Sequence, residues 1–311
     1  MDVILTIDVE SYTGNYEREV HADGLGLKFI IDACRRHDAV GTYFVESLGA
    51  TRWGREPLMH IVNTLQRAGQ EVQLHLHPVT ARIDGFSDEE DVLCHRDLAT
   101  QTMLIRRALE ELRACGATGV TAFRAGDLGA NADTLRAMAA CDLHISANRD
   151  LDQKSSIRSQ LNDHFPARND LSARDGIIDI PVTALRSPVP QLDGPYRHLE
   201  ISAMGLQEMC DGLRRLADAG YACAGILTHP GEFFRYRGRR PIAIEKNRRR
   251  LEGVLAFVAA QPDLRMVTVG QAAARADLPS QPPPDIRAQP LWSWLRVWEQ
   301  GLDRLQARAA R

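Results

Sequence analysis

Four short clusters carry side chains able to bind a metal or move a proton: Asp8-Val9-Glu10, His75-Leu76-His77-Pro78, Phe123-Arg124-Ala125-Gly126 and Leu227-Thr228-His229-Pro230. Asp8 and Glu10 are separated by one residue, so in an extended segment both carboxylates leave the same face. His75 and His77 repeat that spacing with two imidazoles. Two histidines and a carboxylate form a common ligand set for a hydrolytic divalent metal that keeps a position open for water. The other carboxylate is then available as a base. Arg124 follows an apolar residue and precedes two small ones, which would let a ligand or a side chain come close. It reads either as a surface ion pair or as a guanidinium that holds a catalytic carboxylate. His229 reads either as a hydrogen-bonded, partly buried histidine or as a catalyst. Each cluster alone fits solvated surface; their joint placement points to one site.

The segments around these clusters alternate between strand and helix. The run 3–7 is apolar and breaks at acidic residues, as a buried parallel strand does when it delivers polar groups at its C-terminal end. Helical periodicity is expected over 25–37, 56–68, 89–115, 204–219 and 242–259, with Asn131 as the N-cap of a helix that runs through Met138. Strands are expected at 41–45, 71–75, into Phe123-Arg124, and at 143–146, 176–180, 223–228 and 264–269. The stretches 148–175 and 183–200 are polar and irregular, either substrate loops or surface insertions. Such alternation predicts parallel strands with helices packed outside, in a barrel or an open sheet. In a barrel, the C-terminal ends of the strands share the face that carries active sites.

Composition sets the outer limits. The chain has 311 residues, 44% hydrophobic and 25% charged, with 38 basic and 41 acidic residues and a net charge of −3. These values exclude a disordered chain, a collagen-like repeat and a coiled-coil rod, and give no field that favours nucleic acid. Six cysteines are scattered without a C-x-x-C pair, as expected of reduced, buried residues in the cytosol. The N-terminus shows neither a basic region nor a long apolar one, and no run of 18 apolar residues occurs, so a cytoplasmic protein is expected. Three of the four tryptophans and five of the fifteen prolines fall within the last 33 residues. A strand–helix unit over 1–275, which the family resemblance below makes the catalytic one, a proline-rich linker over 276–290 and a helical tail over 291–311 are expected. In that tail Leu291, Trp294, Leu295, Trp298, Leu302 and Leu305 form one apolar stripe, with Arg296, Glu299, Arg304 and Arg308 elsewhere around the helix. The stripe could dock on its own barrel, on a second copy in a homo-oligomer, or on a membrane surface.

In their order, the motifs resemble the polysaccharide deacetylase family, carbohydrate esterase family 4, over residues 1–275. Thr6-Ile7-Asp8-Val9-Glu10 is similar to the family's T-F-D-D-G, Gly41-Thr42-Tyr43-Phe44-Val45 to A-T-F-F-V, and Gly69-Gln70-Glu71-Val72-Gln73-Leu74-His75 to G-H-E-I-G-N-H. Phe123-Arg124-Ala125 resembles F-R-x-P, Asp179-Ile180-Pro181 stands where a fourth motif is expected, Leu227-Thr228-His229 resembles L-x-H, and Met266-Val267-Thr268-Val269 resembles F-V-T-L. Two positions depart from the pattern. Val9 stands where the family places its metal aspartate, with Glu10 next, a spacing similar to that of cytoplasmic-type peptidoglycan deacetylases and lipid-linked aminoarabinose deformylases. Val79 stands at the second metal histidine, so His77 must replace it if the triad is complete.

The resemblance implies a deformed parallel (β/α) barrel of about seven strands followed by a C-terminal amphipathic helix. It implies a divalent metal, zinc by preference, on Glu10, His75 and His77. Asp8 would be the base, oriented by Arg124, and His229 the acid that protonates the departing amine. The implied substrate is an N-acetylated or N-formylated amino sugar, nucleotide-linked, lipid-linked or part of a glycan intermediate, with Asp127, Asn131 and Glu232 as substrate-loop candidates. A cap role alone would account for Asn131. A hydrolase of a cyclic amide or ureide on the same fold, and a degenerate barrel that binds carbohydrate without cleaving it, are the alternatives. Val9 and Val79 favour the degenerate barrel; Asp8, Arg124 and His229 speak against it.

Overall fold

The apolar runs of the sequence become the staves of one strongly curved sheet. In the computed structural model, residues 1–83, 91–151, 159–167, 169–275 and 283–309 are described, with side chains except those of Asp193 and of 302–309. Along the chain the strands are β1 (Asp2–Val9), β2 (Gly41–Glu46), β3 (Glu71–Leu76), β4 (Ala122–Ala125), β5 (Ile145–Ser146), β6 (Ser172–Arg174) and β7 (Ile177–Asp179). They continue as β8 (Ala184–Arg186), β9 (Tyr196–His198), β10 (Cys223–Thr228), β11 (Phe234–Arg237), β12 (Arg240–Ala243) and β13 (Arg265–Met266). Among the described residues seven of these pair in parallel in the order β10-β1-β2-β3-β4-β5-β7, with β6 antiparallel on β7. The short β13 lies along the first residues of β1, and β2 along the later ones. The gap between β7 and β10 is bridged without a regular strand: Thr183 N donates to Gly225 O, Leu199 N to Thr183 O and Leu227 N to Leu199 O. This is the deformed parallel barrel that the motif order implied.

The helices are α1 (Leu27–Arg36), α2 (Ala50–Trp53), α3 (Glu56–Arg67), α4 (Leu98–Ala114), α5 (Ala132–Ala139), α6 (Pro190–Asp193), α7 (Leu206–Asp218), α8 (Glu245–Ala259), α9 (Val269–Ala274) and α10 (Pro290–Ala309). Strand side chains alternate between two faces. Val3, Leu5, Ile7 and Val9 of β1 enter the large core that includes α1, α3, α4, α7 and α8 side chains, whereas Ile4 joins Phe44, Ala122, Ile145, Ile180, Cys223 and Val267 in a separate inner cluster. The same alternation carries Asp8, Glu46, His75, Arg124 and Leu227 to the inner face. An apolar cluster therefore fills part of the lower barrel, and Asp8, Glu46, His75 and Arg124 stand above it.

Four segments differ from the expectation. The helix expected over 89–115 starts at Leu98, because Asp97 caps it by accepting from Thr100 N; Glu89 lies outside the described residues. The strand expected over 264–269 is only β13, because Thr268 caps α9 in a reciprocal pair with Gln271. The helix expected from 242 begins at Glu245, because Ile242 and Ala243 pair with Arg235 and Phe234 in a hairpin. The irregular stretches contain β6, β8, β9 and α6, and residues 152–158 and 168 lie outside the described residues. Of the proline-rich stretch, 276–282 are also outside; from 286 the chain is tied to β8 through Arg186 N to Ile286 O and Ala288 N to Arg186 O. No helix among the described residues is long and apolar enough to cross a membrane.

Candidate metal centre and catalytic site

Glu10 follows β1, and His75 and His77 stand at the end of β3, two strands that flank β2, and their ligand atoms all lie within 4.8 Å of one another. Both Nε2 atoms converge on one oxygen: His75 Nε2 is 3.2 Å and His77 Nε2 2.6 Å from Glu10 Oε2. The opposite ring nitrogens are fixed. His75 Nδ1 donates to the Arg124 carbonyl at 2.9 Å, since a carbonyl can only accept, and His77 Nδ1 lies 2.6 Å from Asp91 Oδ2. Asp91 is held in turn by Val79 N at 3.2 Å. A histidine whose far nitrogen is engaged by a carbonyl or carboxylate presents its other nitrogen to a metal with fixed tautomer and orientation. The donor set, two imidazoles and a carboxylate, therefore fits a divalent cation of the zinc type.

Charge in this cluster is arranged around the same point. Burial works to raise the Glu10 carboxyl, yet the hydrogen bonds and charges of His75 and His77 hold it well below the usual carboxylate range. Burial disfavours a charged His77, but Asp91 and Glu10 outweigh it and push the imidazole up to about 10. Without a cation, His77 thus carries a proton between two carboxylates. Gly126 makes room for the ring: a Cβ there would lie 2.4 Å from His77 Cε1 and Nδ1.

Asp8 lies beside the cluster, on the same face of β1. Arg124, fully buried, donates from one terminal nitrogen to Asp8 Oδ1 at 2.7 Å and to Thr6 Oγ1 at 3.0 Å, and from Nε to Ala147 O at 3.0 Å. Its guanidinium stacks 4.4 Å over the Phe44 ring of the apolar cluster. Across the opening, His229 Nε2 is 3.9 Å from Asp8 Oδ2 and 4.0 Å from Glu10 Oε1. Its Nδ1 meets Glu232 Oε1 at 2.8 Å, and Glu232 accepts from Thr228 Oγ1 at 2.7 Å. Burial works to lower the His229 imidazole, but the hydrogen bond and charge of Glu232, with Asp8 and Glu10, raise it to about 10. These groups surround a cavity of about 210 Å³.

No family model matches the chain, and no curated protein does. Among solved structures, a candidate polysaccharide deacetylase from Mycobacterium smegmatis superposes with a TM-score of 0.58 over 93% of this chain and 94% of its own, at 17% identity. A 4-alpha-glucanotransferase from Thermococcus litoralis superposes with a TM-score of 0.56 over 92% of this chain and 41% of its own, at 10% identity. The chain shares their fold. At such identities the likeness is one of architecture, and the chemistry rests on the site itself.

The six metal and catalytic residues singled out in the sequence, Asp8, Glu10, His75, His77, Arg124 and His229, are brought together. Asp127 lines the cavity, from a turn in which it and Leu128 both take left-handed backbone (φ +54° and +57°). Glu232 stands behind His229 and does not line the cavity. Asn131 is a helix cap: its side chain accepts from Thr134 N and donates to Cys94 O, and it is not among the cavity residues. Four residues escaped the sequence reading. Asp91 orients His77; Tyr12 reaches His77 Nε2 at 3.0 Å and Glu10 Oε2 at 3.3 Å; His198 and Glu200 line the far wall. His198 Nε2 is 2.5 Å from the buried Asp150. For Tyr12, the continuation of the Asp8, Glu10 spacing by one more step was the available signal.

Proposed function

We propose that the protein is a metal-dependent hydrolase that removes an N-acyl group, acetyl or formyl, from an amino sugar, as members of carbohydrate esterase family 4 do. One observation carries this reading: a carboxylate held by a buried arginine, a Glu/His/His donor set and a carboxylate-backed histidine face one another across a single small cavity. Glu10, His75 and His77 would hold the cation. When bound there it supplies Lewis acidity toward an amide carbonyl and toward water. Asp8, kept in place by Arg124 and Thr6, accepts the proton of the attacking water. His229, charged through Glu232, passes a proton to the departing nitrogen, because an amine anion is too poor a leaving group for the C–N bond to break without it. Acetate or formate and the free amino sugar are the products. The candidate polysaccharide deacetylase of the same fold supports the substrate class. The sugar would be nucleotide- or lipid-linked, or part of a glycan intermediate, met in the cytoplasm.

The test is release of acetate or formate from N-acyl amino sugars by the purified, metal-loaded protein, with metal analysis of the same sample. Asp8→Asn and His229→Ala should each lower turnover by about 10²–10⁴-fold, the usual worth of acid or base assistance. Full activity in either variant would remove these roles.

A further inference from the structure

Helix α10 docks on the barrel by the wrong side for an amphipathic helix. Ser293 and Arg296 are buried, and both bind Glu208 of α7, with Arg296 Nε 2.8 Å from Glu208 Oε2. Leu291, Trp294, Leu295 and Trp298 remain 62%, 55%, 48% and 66% exposed. At 3.6 residues per turn these four share one face, opposite Ser293 and Arg296. The apolar stripe is thus turned away from the protein by a buried ion pair. Leu302 and Leu305 lie outside the residues whose side chains are described.

The surroundings of the stripe are cationic. Leu295 and Trp298 line a groove of about 450 Å³ together with Lys246, Arg249 and Arg250 of α8. Between 235 and 250 the chain carries eight Lys or Arg and one acidic residue, Glu245, although the whole protein is net negative. The hairpin that leads into α8 exposes Arg235, Arg237, Arg239 and Arg240, none of them in an ion pair among the described residues. Arg237 and Arg240 stand directly opposite one another in register. Like charges at facing positions destabilise a hairpin, so this surface is costly unless an anion meets it. The acids at the groove are already engaged: Glu299 pairs with Arg250 at 2.6 Å and Glu208 with Arg296.

We propose that the outward face of α10 and the basic side chains of α8 that border it, Lys246 and Arg249, form a docking site for an anionic lipid bilayer. Tryptophan and leucine enter the headgroup boundary, and the basic side chains meet lipid phosphates. A second copy of the chain fits less well, because the same cationic surface on both copies would repel. An acidic glycan would satisfy the arginines but leaves the outward stripe without a role. The proposal does not depend on the reaction assigned to the barrel.

Co-sedimentation of the full chain with phosphatidylglycerol/phosphatidylcholine vesicles tests it, with pure phosphatidylcholine vesicles as the control. Binding is expected to the anionic vesicles and to weaken at 0.5 M salt. Trp294→Ser with Trp298→Ser should lower the partition at least tenfold, and Arg249→Ser about fivefold per charge removed. Both variants should retain activity on a soluble N-acyl sugar, a readout that separates failure here from failure of the hydrolase assignment. No binding to anionic vesicles, equal binding by the variants, retention on soluble acidic polysaccharide in place of vesicles, or loss of a dimer in the tryptophan variant would each overturn it.

Discussion

Asp91 is the residue whose removal best separates orientation from ligation. It touches no cation position, yet it fixes the His77 ring at 2.6 Å. Asp91→Asn should weaken zinc affinity by about 10–100-fold, the usual effect of losing such a partner, with the barrel intact by circular dichroism. Unchanged affinity in a zinc titration would mean that His77 is not held through Asp91. Glu232 acts on the other histidine. Proton donation needs charged His229, so activity should fall as pH rises through the His229 pKa, which Glu232 raises. Glu232→Gln should move the alkaline limb of kcat/KM toward neutral by about 1–3 units, because an opposite charge at contact shifts a titration by that amount. A cation at Glu10 would cancel part of the field of Glu10 and Asp8 but leaves the contact with Glu232, so the direction stands; an unmoved limb would exclude this pair as the acid. Asp8, Glu10, His75 and His77 were legible in the sequence because a strand end converts i, i+2 spacing into a shared face. Asp91, His198 and Glu200 were not: Asp91 reaches His77 from a loop, and His198 and Glu200 stand at and just after the end of the short β9, within a stretch that reads as polar and irregular.

At the scale of elements, the strands were read more accurately than the helix starts. β1, β2, β3 and β10 are buried along almost their whole length, with an apolar outer face, as the strands of a parallel barrel must be. The starts of α4 and α8 were displaced, and the strand expected over 264–269 was cut short, because capping by Asp97 and Thr268, and the pairing of Ile242 with Arg235, outrank apolar periodicity. The most instructive element is α10, whose periodicity was plain but whose docked face was the polar one. What fixes that face is the pair Arg296–Glu208, both almost fully buried. Removing one member leaves a buried charge without its partner, at a cost of about 3–5 kcal/mol. Arg296→Met should therefore release α10, seen as lost hydrogen-exchange protection over 290–301 and new protease cleavage near 283–289. Adding Glu208→Gln should restore much of the protection, since the orphaned charge is then gone. Unaltered protection in Arg296→Met would show that another contact holds the helix.

Across the whole molecule the barrel interior is divided into an apolar floor, from Ile4 to Phe44, and a charged upper layer of Asp8, Glu10, His75, His77 and Arg124. The floor needs no ligand to be stable, whereas the upper layer holds a proton on His77 where a cation would fit. Chelation should accordingly abolish activity and leave the far-ultraviolet spectrum unchanged. Zinc at 100 times its Kd should add about 2.7 kcal/mol of stability, which for a chain of this length raises Tm by about 4 °C. The pH dependence has a definite sign. His77 is raised to about 10 in the cation-free protein, so below that value zinc must displace its proton. Apparent affinity should fall about tenfold per pH unit, and the zinc-induced Tm shift at fixed zinc should be larger at pH 8 than at pH 6. Calorimetry in buffers of different ionisation enthalpy should register the release of about one proton per zinc near pH 7. A zinc-insensitive Tm, or binding without proton release, would show that Glu10, His75 and His77 form a hydrogen-bonded cluster and not a metal centre.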